Sequence, residues 1–552
     1  MNRPNYHATA IDAVIEFYAG YLDFSGRSGR REFWYAYLVF LVVGTVLGSF
    51  VGALAYASSG AGALVAQAFS GVVALVHLVP WAALTVRRLR DAGQSPAFLL
   101  VALVPVVGGL ALLLLAAQKS VNPPPAVKQD ESIDDSGLIG SGQEGGVLDQ
   151  VRAYLQRLAH GDMGALPAIG GLFVLVALFT FLSQFMLGEQ YFLTERNFAN
   201  LMTQAASLVM LAMALTLTIL LGEIDLSAGV TSGVAISAFV VLTKLDGIAM
   251  HWVPALIVAL GVGVVIGTFI GFFVAFVRIP SFVVTLGLFI GLQGVTLILL
   301  GDGGVFRIQV PEILAIQNSN MPIWAGWTML GIMVAISFAT SMWDRYRRTR
   351  AGVPNRTIWL VWIKLAVIAG VGGFVVAVLS VNRSSSVKVI EGVPIIVPIV
   401  LVILWLGTFM LDRTKFGRYI YAIGGNAEAA RRSGIKVVAI RWSAFILGST
   451  LAVLSGVFSA SKVGSVNAGF GTDIVLSGVA AAVVGGVSLF GGRGRLLHAA
   501  IGALVIAVIA NGLGLLNLPA GVNYIVTGGV LVLAATVDAV SRVRAGGTII
   551  RT

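Results

Sequence analysis

From residue 167 to residue 540 the chain is cut into twelve apolar runs: 167–187, 198–221, 226–242, 252–277, 281–300, 322–341, 358–380, 393–411, 440–461, 474–490, 496–517 and 519–540. Most approach the roughly 20 residues an α-helix needs to cross a bilayer. Charged residues are 11% of the chain, against about 25% in soluble domains. Glycine is abundant, 67 residues of 552, and small residues let membrane helices approach closely. The expected fold is all-α and polytopic, with about 14–16 membrane segments in total, some of them short or broken.

Three further apolar runs, 34–57, 63–86 and 97–118, precede these twelve. Residues 119–146 interrupt the pattern with Pro123-Pro-Pro125, the acidic residues Asp130, Glu131, Asp134 and Asp135, and a Gly/Ser-rich tract, the composition of a disordered linker. The expected organisation is a small N-terminal membrane domain at 1–120, a linker at 121–146 and a main membrane domain at 147–552. Val147, Leu148, Val151, Tyr154, Leu155 and Leu158 share a helical face, which suggests a helix lying on the membrane surface. If residues 147–166 are inside and the twelve runs alternate, inside loops carry twenty Lys and Arg residues and outside loops six. That asymmetry orients the chain with its C-terminus in the cytoplasm. It also accounts for the net charge of +11 without nucleic acid. Three N-terminal spans, however, would leave the linker outside, a conflict the sequence leaves open.

Several chemistries are excluded. There are no cysteines, and the five histidines are scattered, so thiolate catalysis and Cys-based metal sites are out. No Gly-Lys dipeptide occurs, so the chain has no Walker A phosphate loop. It is not expected to be an enzyme or to hold a cofactor. Residues 1–33 lack a signal-peptide pattern.

The longest polar interruption of the C-terminal half holds Phe416-Gly-Arg-Tyr-Ile-Tyr-Ala-Ile-Gly-Gly-Asn-Ala-Glu-Ala-Ala-Arg-Arg-Ser-Gly-Ile435. Asn426 is a good N-cap, Ala427 to Arg432 are mostly helix formers, Glu428, Arg431 and Arg432 suit the helix dipole, and Gly434 supplies a stop. A short helix on a basic loop follows. The stretch resembles the cytoplasmic coupling loop of bacterial sugar ABC importer permeases of the ribose and xylose type. In that family the loop docks on the ATPase subunit. An ordinary surface helix is the plainer reading.

Gly222-Glu-Ile-Asp-Leu-Ser-Ala-Gly229 places Glu223 and Asp225 between two apolar runs with almost no loop. Carboxylates there mark a functional site, or Asp225 or Ser227 caps a broken helix; both readings stand. The segment resembles the same family's Gly-Gly-Ile-Asp-Leu-Ser-x-Gly signature, with Glu223 replacing a glycine. Ile279-Pro-Ser-Phe-Val-Val-Thr-Leu-Gly287, with Pro280, Ser281, Phe282 and Thr285, and Gly485-Gly-Val-Ser-Leu-Phe-Gly-Gly-Arg-Gly494 resemble two more family motifs, as does the stretch 191–204. Asn511 and Asn517 suit hydrogen bonds between helices or contact with sugar. The resemblance covers about 167–545. Residues 342–392 exceed the ribose-type pattern, and the xylose type carries a comparable insertion. At the N-terminus, Phe24-Ser-Gly-Arg-Ser-Gly-Arg-Arg-Glu-Phe-Trp34 and Arg87-Arg-Leu-Arg-Asp91 resemble a small inner-membrane domain family of unknown function. Arg90 stands where that family usually has His. Arg27, Arg30, Arg31 and Arg87 read as topology anchors, or as a head-group or partner site.

The resemblance implies an inner-membrane permease that imports a monosaccharide, xylose or another pentose. It implies a second permease copy, a cytoplasmic ABC ATPase holding ATP–Mg, a periplasmic sugar-binding protein and membrane lipid as partners. The rival readings are a secondary transporter, which needs buried coupling charges in its spans, and a scaffold or sensor acting through the N-terminal domain.

Overall fold

The computed structural model describes residues 10–40 (without 22 and 25), 77–99 (without 97), 112, 115–118 and 166–544, with short gaps at 189–190, 246, 302–303, 353–357, 385–386 and 388. The linker at 121–146 and the surface helix expected from 147 lie outside these residues, as do most of the N-terminal spans. Two compact units emerge, residues 1–142 with 539–552, and residues 143–538.

The first unit contains α1 (Ala10–Ala19), α2 (30–40) and α3 (77–91). Phe17 is its centre, packed with Ala13, Phe33, Ala36 and Leu84 and ringed by Tyr18, Phe40 and Trp81. Arg27, Arg30 and Arg31 are exposed, as anchors should be. Arg87 and Arg88 are not: both are buried, which corrects the anchor reading at Arg87. Arg88 is held because its Nε donates to Ala116 O at 2.8 Å and its Nη1 pairs with Asp91.

The second unit is helical almost throughout. Its elements are α4 (Leu166–Leu187), α5 (Glu195–Ile219), α6 (Ala228–Thr243), α7 (Trp252–Gly271, continued by a π-turn at Phe272–Val277), α8 (Ser281–Leu300), β1 (Val305–Arg307), α9 (Pro311–Asn318), α10 (Ile323–Arg350), α11 (Ile358–Ser380), α12 (Ile396–Arg413), α13 (Lys415–Gly425), α14 (Ala427–Arg432), α15 (Val437–Val463), β2 (Ser465–Asn467), α16 (Ile474–Val484), α17 (Leu496–Leu515) and α18 (Ala520–Arg544). Among the described residues nine helices are long and apolar enough to cross a membrane; α6 and α16 are shorter. The chain is therefore a multi-pass α-helical membrane protein. The run expected to extend to 490 stops at Val484, because Gly485 and the positive-φ Gly486 break the helix.

At the centre is α5, buried from Ala205 to Ile219. It opens on Thr194, whose hydroxyl accepts from Asn197 N–H at 3.2 Å. Around it pack α15, α17, α16 and α12. On α7, Gly263, Gly267 and Gly271 lie one turn apart against the α15 backbone, where a Cβ at Gly267 would stand 2.7 Å from Ile446 Cα. Small residues at this spacing replace the hydrophobic driving force that lipid cannot supply.

The loops sort into two ends. One holds the antiparallel pair β1–β2, with Phe306 opposite Val466, together with the Ile395 N–H to Ser319 O bond at 3.0 Å and the Lys462 bond to the Asn200 side chain at 2.9 Å. The other holds the breaks after α5, α7 and α16 and the segment 414–436.

Candidate coupling and gating site

At that second end the break between α5 and α6 is organised by Asp225. Its Oδ1 accepts from the Ser227 N–H at 2.9 Å and the Ser227 hydroxyl at 2.6 Å, closing an Asx-type turn into α6. Burial pushes the Asp225 carboxyl up, while the bonds from Ser227 hold it down. Ser227 stands at the N-cap of α6 but makes no cap bond with its own side chain.

The neighbouring peptide is held from α8. The Ser281 hydroxyl accepts from Ile224 N–H at 3.1 Å, and the Thr285 hydroxyl donates to Ile224 O at 3.3 Å. Both backbone groups of Ile224 thus find side-chain partners, where a buried orphan costs about 1–3 kcal/mol. Pro280 sits at the N-cap of α8 with φ −52°, fixed by its ring. Phe282 does not join the cluster; it is 55% exposed. Glu223 has its own partner, Arg441 Nε at the start of α15, 3.4 Å from its Oε1.

Four glycines then lock three chain segments together. Gly492 N–H donates to Leu220 O at 2.9 Å. A Cβ on Gly424 would overlap that same carbonyl oxygen, and one on Gly491 would stand 2.8 Å from Gly222 N. Gly222, Gly491 and Gly492 have φ of 78°, 81° and 72°, a region side chains rarely adopt. Tyr421 adds a bond from its hydroxyl to Gly494 O at 2.9 Å. The sequence signal for this knot was the Gly-Gly pairs at 424–425 and 491–492, which the motif reading did not connect.

From the knot, α13 leads to α14. The expected cap is present: Asn426 Oδ1 accepts from Ala429 N–H at 2.9 Å. Gly434, at φ 83°, ends the helix, with Gly434 N–H bonded to Arg431 O and Ile435 N–H to Ala430 O. Glu428 takes both Arg431 nitrogens, Nε at 3.0 Å and Nη2 at 2.9 Å, and Arg432 Nε at 3.1 Å. Arg431, then Arg432, hold the Glu428 carboxyl below the usual carboxylate range. All three side chains are more than half exposed, while Ala430 is buried. Residues 415–425, expected as loop, form the helix α13.

Asn511 lies elsewhere, toward the opposite end of α5. It exchanges two 2.9 Å bonds with Asn197 and a third, 3.2 Å long, with Gln204, a link between α5 and α17. Asn517 closes α17 with φ 53°.

A family model described as "Branched-chain amino acid transport system / permease component" matches residues 197–358 and 395–535. The gap in that match falls on α11 and the loop after it. A second model, "Protein of unknown function (DUF805)", matches residues 21–125. Similar curated proteins include the xylose transport system permease protein of Haemophilus influenzae, 32% identical over 62% of this chain and 88% of that one. The ribose import permease protein of Escherichia coli K12 is 30% identical over 62% of this chain and 85% of that one. A probable ABC transporter permease protein of the same strain is 41% identical over 26% of this chain and 43% of its own length. No solved structure matches.

Proposed function

The chain belongs to the branched-chain amino acid transport system / permease component family, and on that premise we propose that it is the membrane subunit of a bacterial ABC importer for a monosaccharide. Xylose or another pentose is the preferred substrate class. This is supported by the relatives named above and by the extra hairpin α10–α11, part of which the family model skips. Two copies of the chain would frame the pathway in the inner membrane. A separate ATPase, binding ATP–Mg, would dock on α14, and a periplasmic binding protein would deliver the sugar.

The observation that carries the reading is the placement of α14. It is an exposed, capped, internally paired helix, set on a backbone knot that joins it to the end of α5 and to the turn between α16 and α17. The residues Glu223, Asp225, Ser227, Pro280, Ser281 and Thr285 act here as the frame of a gate, and Asn426, Glu428, Arg431, Arg432 and Gly434 as the docking element. A permease that switches between two helix packings turns nucleotide binding into access on alternate sides.

The test is reconstitution in liposomes with a cognate ATPase and binding protein, offering xylose, ribose and a hexose. ATP-dependent uptake of a pentose is expected. Uptake that persists without the ATPase and follows an ion gradient would replace this reading with a secondary transporter.

A further inference from the structure

The first unit buries a cation whose gripping edge has no hydrogen-bond partner among the described residues. Arg87 lies on α3 and is 5% exposed. Its Nη1 faces Glu32 Oε1 at 4.0 Å, a separation too long for a hydrogen bond. Its Nε and Nη2 have no hydrogen-bond partner among the described residues, nor has Glu32 Oε1. Nε and Nη2 form the side of a guanidinium that grips an oxyanion by two parallel bonds. Leaving such a group buried and unbonded is costly.

The surroundings are arranged to leave that side chain room. Gly20 lies against the guanidinium so closely that a Cβ there would overlap it, and a Cβ at Gly26 would stand 3.4 Å from Arg87 Cδ. Ser28 N–H is bonded to Arg87 O at 3.2 Å, which ties residues 26–29 to α3. On that loop and the start of α2, Arg27, Arg30 and Arg31 are exposed, beside the aromatic residues Trp34 and Tyr35. A buried fork beneath an exposed basic rim with aromatic neighbours matches an anionic group at a membrane surface.

We propose that Arg87, with Gly20, Gly26 and Glu32 around it, forms a binding site for a phosphate group, carried by a phospholipid head group or present as the free ion. The ligand supplies the two acceptors that Nε and Nη2 lack, and Glu32 receives any donor on its far side. Arg87 is 5% exposed, so entry requires the groups packed on it, Gly20 and Gly26 among them, to part. The inference concerns the first unit and does not rest on the transport reading.

The full chain is purified in mild detergent as wild type, Arg87→Lys and Arg87→Gln. Arg87→Lys keeps the charge and removes the fork. Phosphatidylglycerol is titrated in mixed micelles, and inorganic phosphate separately. Retained lipid is read by native mass spectrometry, and the site by hydrogen exchange at residues 20–32 and 84–92. Wild type is expected to retain phospholipid and to exchange more slowly when phosphatidylglycerol is added. Both variants should weaken binding by roughly tenfold or more, the value of a charge-assisted pair. Protection by phosphatidylglycerol alone assigns the lipid head group, and protection by inorganic phosphate as well assigns the ion. Equal protection in wild type and Arg87→Lys overturns the proposal. If neither variant inserts, delipidated wild type decides: no local protection by either ligand also overturns it.

Discussion

At the residue scale, Asp225 and Glu223 differ in what they hold. Asp225 closes the turn that starts α6 through two bonds, and it is nearly inaccessible to solvent. Glu223 makes a looser ion pair and is more exposed. We predict that Asp225→Ala lowers uptake more than Glu223→Gly at equal expression, and that it costs about 1–3 kcal/mol of stability, the price of stranding buried donors. Thermal melting and uptake side by side decide the ranking; a larger loss from Glu223→Gly would mean that the Arg441 pair is the working contact. Gly424→Ala should destabilise by roughly 1–3 kcal/mol or more, because its new methyl meets a carbonyl bonded to Gly492. A melting temperature equal to wild type would show that the knot yields. Asp225, Ser281 and Thr285 were legible as motif letters. What Ser281 and Thr285 both hold, the backbone of Ile224, was not, because a backbone group leaves no mark in the sequence.

At the scale of elements, α14 was readable from its cap, its helix formers and its glycine stop, all local signals. The preceding helix α13 was not. Its residues include three glycines, two isoleucines and two tyrosines, poor or middling helix formers. It is helical because Gly417, Ile420 and Ile423 are buried, and tertiary packing overrides propensity. The pairing of Glu428 with Arg431 and Arg432 also alters the docking expectation, since these charges reach a partner chain only by exchanging bonds they already have. The prediction is that Glu428→Ala and Arg431→Ala each reduce ATPase co-purification and sugar-stimulated hydrolysis while leaving the melting temperature near wild type. Unchanged stimulation in both would leave α14 a surface helix. The depressed Glu428 carboxyl gives a pH signature. Its pairs are fully formed above the usual carboxylate range and fade as pH falls through its lower folded value, so docking should weaken in acid, and less steeply in Glu428→Gln.

At the scale of the whole molecule, the order of the apolar segments followed from apolar length, because lipid imposes it. Which helix would be central did not, since α8 is the more apolar of the two and yet α5 is far the more buried. Two predictions belong here. Deleting residues 1–140 should leave sugar uptake largely intact in reconstituted vesicles; loss of uptake with normal insertion would make the first unit part of the machine. Because the chain has no cysteine, Ser433→Cys provides a single thiol. A membrane-impermeant maleimide should label it in inside-out vesicles and not in intact cells, and the reverse would invert the orientation.

The knot at Gly222, Gly424, Gly491 and Gly492 also bears on timing. Joints built from side chains have slack, since rotamers can hop and absorb a push before anything downstream moves. Here main chain abuts main chain, with a 2.9 Å bond from Gly492 to Leu220 at the centre. Such a linkage has no backlash. Were α13 to shift, main chain would pass the push directly to the end of α5 and to the turn ahead of α17, with no side chain between them to take it up.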